Sequence, residues 1–88
     1  MDLNLTGKLA LVSGSTAGIG LAIASTLAQE GARVIVNGRL QSSVDDVVTQ
    51  MKAETGSDVQ GFAGDLSTAA SAEELARRYP DVEILVNN

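Results

Sequence analysis

Three glycines within seven positions, Gly14, Gly18 and Gly20 in the stretch Ser13-Gly-Ser-Thr-Ala-Gly-Ile-Gly20, are the first residues in this chain to suggest chemistry. They follow an apolar run, Leu9-Ala-Leu-Val12, and open a segment with helical periodicity. A glycine directly after a strand permits a sharp turn, and glycines at a helix start let a ligand or the sheet come close to the backbone. Unpaired N–H groups at such a start suit a phosphate, with a dipole contribution of about 0.3–1 kcal/mol when exposed and up to about 2 when partly buried. A strand–helix turn holding no ligand would satisfy the same glycines. The spacing is G-x-x-x-G-x-G, not G-x-G-x-x-G, and no Gly-Lys-Ser/Thr follows. That argues against a Walker A loop and nucleotide hydrolysis.

Other chemistry is excluded by composition. The 88 residues include no histidine and no cysteine. That removes the commonest general base and metal ligand, together with disulfides, thiol catalysis and thiolate zinc sites, so no metal is expected. A net charge of −5 argues against nucleic-acid binding through a basic face. No apolar stretch approaches the roughly 18 residues that span a bilayer. The opening Met1-Asp-Leu-Asn4 is not the basic start of a signal peptide, so a soluble cytoplasmic protein is expected. With 44% hydrophobic and 19% charged residues the chain has a globular balance. A chain this short buries only about 60–65% of its unfolded surface, so its core is marginal.

The elements that must position the loop follow from periodicity. Lys8–Val12 reads as a buried strand. From Gly18 to Glu30, Ile19, Ile23 and Leu27 recur every four residues beside Ala22, the apolar stripe of a helix that Gly31 stops. Arg33–Asn37 is a β-branched second strand. Val44, Val47, Val48 and Met51 mark an amphipathic helix preceded by Ser42 and Ser43, with Asp45 and Asp46 near its positive end and Gly56 after it. Asp58–Ala63 is a weaker third strand. A third helix runs from about Thr68 to Tyr79, or from Ser71, whose spacing to Glu74 fits a capping box; Pro80 closes it. Val82–Asn87 is the fourth strand. Right-handed crossovers between unbroken apolar strands give an α/β fold, half of a doubly wound Rossmann parallel sheet in the order 3-2-1-4 with three helices.

The loop Ser13–Gly20 resembles the cofactor loop of the short-chain dehydrogenases/reductases, with Ser13 where threonine is more usual. Asp65-Leu66 after the third strand and Ile84-Leu-Val-Asn-Asn88 at the end match the same family in order and distance. The resemblance implies that residues 1–88 are the N-terminal, dinucleotide-binding half of an oxidoreductase. In it Gly14, Ser15, Thr16, Gly18, Ile19 and Gly20 would hold the cofactor, Asp65 would accept from the adenine amino group, Leu66 would pack beside the ring, and Asn87 would lie next to the adenosine ribose. Asp65 would equally serve as a carboxylate at the start of the third helix, and Asn87 and Asn88 as a polar strand end.

An NAD site usually carries an acid about 20 residues after the glycines. Here the end of the second strand reads Asn37-Gly38-Arg39. Arg39 can meet a ribose 2′-phosphate with a planar fork, and Ser15 can donate a further hydrogen bond. With Asn37 and Arg39 at this position, the pattern in the family implies NADP(H). A second basic residue common in its NADP members is replaced by Ala17. The family's catalytic Ser and Tyr-x-x-x-Lys are absent: Tyr79 is followed four residues later by Glu83, and the only lysines are Lys8 and Lys52. No catalytic residue is therefore expected within these 88 residues, Tyr79 reads as a helix-end packing residue, and the chain alone is expected not to transfer hydride. A carbonyl or alcohol substrate belongs to the complete enzyme. An apolar fourth strand at an open edge, or the uncovered sheet face, suggests a homodimer or higher assembly. The competing readings are a stand-alone nucleotide-binding or regulatory module and a structural or interaction protein.

Overall fold

Four apolar runs become four parallel strands in the computed structural model, which describes residues 4–88. The opening that bears on a signal peptide, Met1 to Leu3, lies outside the described residues. Strand β1 spans Leu9–Val12, β2 Arg33–Gly38, β3 Val59–Ala63 and β4 Ile84–Val86; helices α1 (Gly18–Gln29), α2 (Gln41–Thr55) and α3 (Ala69–Arg78) connect them. The sheet order is β3-β2-β1-β4, as the alternation of elements predicts. Leu11 stands beside Ile35 of β2 and Leu85 of β4, and Asn37 beside Phe62 of β3.

Alternate strand residues face two different cores. Val12, Val34, Val36 and Val59 pack with Ala24 and Ala28 of α1 and Met51 of α2. Leu9, Leu11, Ile35 and Phe62 face the other way, against Leu66, Leu75, Tyr79 and Val82. Two helices thus cover one face and a single helix the other. Each fully buried valine, leucine or isoleucine contributes about 1.5–3 kcal/mol, so the β1–β2 pair holds the largest share of the stability.

Three expectations change. The stripe Ile19–Ile23–Leu27 is not the most buried face of α1: the buried residues are Gly20, Ala24 and Ala28, Ile23 and Leu27 pack half-buried against the same core, and Ile19 is 74% exposed. Small residues allow the helix to lie close to β1 and β2, and they carry little hydrophobic signal in a sequence. Ser42 and Ser43 lie inside α2 and do not precede it; its N-cap is Leu40, without a side-chain cap, and Gly56 closes it at φ 70°. Strand β4 is shorter than Val82–Asn87, because Val82 turns into the second core and pairing to β1 begins with Glu83 N–H donating to the Leu9 carbonyl at 2.9 Å. For α3 the two possible starts resolve in favour of Thr68, whose side chain accepts from Ser71 N–H.

Candidate functional site

All four strands end on one side of the sheet, and there a cleft of about 440 Å³ opens between the loops that follow them. Its place is set by topology. The chain leaves β1 toward β2 and returns from α3 to β4, so connections diverge from the β1/β4 junction and leave a crevice, as in open α/β sheets generally. The volume lies within the usual range of ligand sites, about 300–1,000 Å³.

The loop after β1 forms one wall. Gly14 sits at φ 58° and Gly18 at φ 60°, in the left-handed region where a side chain is strained, so these two turns require glycine. Gly20 is needed for space: a Cβ there would overlap the carbonyl oxygen of Gly14. Helix α1 therefore begins hard against its own loop. Its N-cap, Ala17, makes no side-chain hydrogen bond, and no acid stands in the first turn. The first-turn N–H groups have no carbonyl one turn back in the helix, so the electropositive end stays available to an anion.

Ser15 differs from its expected role as a phosphate donor. Its side chain is fully buried, its hydroxyl donates to the Val12 carbonyl at 2.8 Å, and it accepts from Asn37 N–H at 2.9 Å. Its only proton is committed to the protein, so it ties the loop to the sheet. Asn37, also expected to bind cofactor, is 4% exposed and spends its amide internally, on Gly14, Phe62 and Gly64. Thr16 is half-buried over Gly38, where a Cβ would come within 2.6 Å of the threonine methyl. An acid at position 38 would thus displace Thr16, whereas position 39 is open.

Arg39 and Asp65 stand on the opposite wall. The Arg39 side chain is 80% exposed, and its Nη2 lies 3.7 Å from Asp65 Oδ2. Asp65 Oδ1 accepts from the Ser67 hydroxyl at 2.6 Å and from Ser67 N–H at 3.0 Å. Those two hydrogen bonds hold its carboxyl below the usual carboxylate range, partial burial opposes them, and the Arg39 charge lowers it further. Asp65 also leads into α3, its carbonyl accepting from Thr68 N–H and hydroxyl. Its backbone thus helps to start α3, whereas its carboxylate is held by Ser67 beside the cleft and is not a first-turn acid of the helix.

Of the expected residues, Gly14, Asn37, Arg39, Asp65, Leu66 and Asn87 line the cleft. Gly18 and Ile19 are exposed at the start of α1, and Gly20 lies buried behind Gly14. Five further lining residues had no expected contact with a cofactor: Ser13, Gly38, Gly64, Ser67 and Asn88. Asn88 N–H donates to the Ser13 hydroxyl at 2.9 Å and its Nδ2 to the Gly14 carbonyl at 3.3 Å, so the end of β4 braces the glycine loop. The only signal was an Asn-Asn pair after an apolar strand. Tyr79 caps the C-terminus of α3 and packs in the second core, with Arg78 over its ring at 5.5 Å. Among the described residues there is no cluster of metal-ligating side chains and no helix long and apolar enough to cross a membrane.

Comparison with known proteins accords with this geometry. Residues 8–88 match the family model described as short chain dehydrogenase. The chain is 52% identical to the uncharacterized oxidoreductase YvaG of Bacillus subtilis (strain 168), across 100% of this chain and 34% of that protein. It is 37% identical to dehydrogenase/reductase SDR family member 4 of Caenorhabditis elegans, across 93% of this chain and 33% of that one. The structure of L-sorbose reductase from Gluconobacter frateurii, complexed with NADPH and L-sorbose, superposes with a TM-score of 0.88 at 35% identity, over 100% of this chain and 35% of that one. A Pseudomonas aeruginosa RhlG/NADP active-site complex gives a TM-score of 0.85 at 39% identity, over 96% of this chain and 35% of that one. The chain spans about a third of the length of these proteins. A strand order, a glycine loop and a family model that runs from β1 to the last residue all agree, and the chain belongs to the short-chain dehydrogenase family.

Proposed function

We propose that this chain holds the adenosine and phosphate portion of NADP(H) for a short-chain oxidoreductase that interconverts a carbonyl and an alcohol. The observation that carries the proposal is the cleft at the strand ends, with the uncapped start of α1 beside one wall and the exposed Arg39 on the other. The residues present fit the cofactor's chemistry. The α1 start offers N–H groups to a pyrophosphate, Arg39 offers two parallel donors to a 2′-phosphate, and Asp65 is an ionised acceptor for an amino group. Leu66 supplies an apolar surface for a flat base. When bound, the cofactor's nicotinamide supplies or receives the hydride; none of the residues above is placed to move a proton in that step.

Arg39 already has a partner in Asp65, but at 3.7 Å and largely exposed, so the pair is weak. A phosphate dianion is the stronger partner, and Asp65 keeps its two Ser67 bonds when the arginine turns away. No acid stands in Asn37-Gly38-Arg39 itself, and the nearest carboxylate, Asp65, is held by Ser67 on the far side of the Arg39 pair. Support for the choice of NADP(H) over NAD(H) therefore comes from Arg39 itself. The two similar structures named with NADPH and NADP concern those proteins, and they favour the same direction.

The test is calorimetric titration of the chain with 2′,5′-ADP and with 5′-ADP. The proposal expects 2′,5′-ADP to bind about tenfold or more tightly, the worth of one charge-assisted contact. Equal affinities would remove the NADP(H) assignment, and no binding of either nucleotide would remove the cofactor role.

A further inference from the structure

After Arg33, strand β2 is apolar until Asn37, a poor strand former that is nevertheless 4% exposed. Its side chain has three partners on two other chain segments. Oδ1 accepts from Gly14 N–H at 3.1 Å, and Nδ2 donates to the carbonyls of Phe62 at 3.0 Å and Gly64 at 3.2 Å. Its backbone is engaged as well: Ser15 N–H donates to the Asn37 carbonyl at 2.7 Å, and Asn37 N–H donates to Ser15 Oγ at 2.9 Å. Asn37 is thus the point at which the ends of β1, β2 and β3 are joined beneath the cleft.

We infer that Asn37 is a positioning residue for nucleotide binding, fixing the glycine loop at Gly14 to the opposite wall at Gly64 and so setting the width of the cleft between them. The inference rests on the nucleotide-binding role proposed above. One N–H on one side and two carbonyls on the other require an acceptor and a twin donor in a single flat group, and among side chains of this length only a primary amide supplies both. An aspartate of the same shape would aim an anion at two carbonyl oxygens. A leucine would leave one N–H and two carbonyls without that partner, the Phe62 carbonyl in a buried place. Asn37 also occupies the Gly14 N–H, so the anion-binding donors are confined to the α1 end of the loop. Neither consequence involves the 2′-phosphate, and this separates Asn37 from Arg39.

The experiment compares the native chain with Asn37→Ser, Asn37→Asp and Arg39→Ala at a temperature where circular dichroism reports each as folded. Dissociation constants are measured for 2′,5′-ADP and 5′-ADP. Both Asn37 variants are expected to weaken both ligands by the same factor, about tenfold, whereas Arg39→Ala weakens 2′,5′-ADP alone. Hydrogen exchange of the Gly14 amide in the native chain gives an independent readout, expected to be slow without ligand because that N–H is bonded to Asn37. Unchanged affinities in a folded Asn37→Ser would overturn the inference and leave the nucleotide reading intact. Should the variants not fold, free exchange at Gly14 in the native chain would overturn it equally. Failure of the native chain to bind either nucleotide would instead remove the nucleotide reading, and this inference with it.

Discussion

In the proposed role Arg39 is the residue on which cofactor choice would turn, because it is exposed, lines the cleft and is held by one weak ion pair, with Asp65. Arg39→Asp replaces an attraction to the 2′-phosphate with a repulsion. The affinity ratio of 2′,5′-ADP to 5′-ADP should reverse, and parallel titrations check it; an unchanged ratio would locate the preference elsewhere. The neighbouring Gly38 is not an equivalent place for an acid, since its side chain would press on Thr16. Asp65 makes a pH-dependent contribution whose sign is fixed. Its folded pKa lies below the ordinary value, so its stabilisation is fully present above the usual carboxylate range and is lost as pH falls through the lowered folded pKa. The difference in urea midpoint between the native chain and Asp65→Asn should therefore be largest near about pH 7 and shrink toward about pH 3. A difference independent of pH would mean that the carboxyl is not the group bonded to Ser67.

Helix α1 shows how a close backbone approach shapes an element. Replacing glycine by alanine in a helix usually gains about 1 kcal/mol. At Gly20 the added Cβ meets the Gly14 carbonyl oxygen, part of a backbone pinned by neighbouring bonds, and overpacking of that kind costs about 1–3 kcal/mol. The overlap outweighs the propensity, so Gly20→Ala should lower the thermal midpoint; a stabilised variant would show that the loop yields. The same helix marks the boundary of what the sequence makes legible. Strand order, the three helices and the glycine loop all follow from apolar runs and from Gly31 and Gly56, which are strong local signals. The fully buried face of α1 does not, because Gly20, Ala24 and Ala28 are small, whereas in the apolar stripe Ile23 and Leu27 only flank the core and Ile19 is exposed. The internal roles of Ser15 and Asn37 were hidden for another reason. Their partners lie as far as 22 to 27 residues away, and a polar side chain near a proposed ligand reads as a ligand contact until its donors are counted.

At the scale of the molecule the two sheet faces are unequal. Helices α1 and α2 cover one face, whereas α3 alone contributes to the other, where none of its residues is fully buried. Strand β4 forms an edge, and Leu85 is 68% exposed on it. An apolar surface next to an unpaired strand edge favours self-association. Light scattering should therefore report a mass that rises with concentration, and Leu85→Lys should reduce that rise; a concentration-independent monomer would remove this expectation. The site lies elsewhere, on the side where the strands end, so an assembly through Leu85 leaves the cleft accessible. Its occupation is read most directly by amide chemical shifts during titration with 2′,5′-ADP. The account predicts that the largest changes fall together on Gly18, Ile19, Gly20, Arg39 and Asp65. Changes confined to Leu75, Tyr79 and Leu85, on the open apolar face, would contradict it.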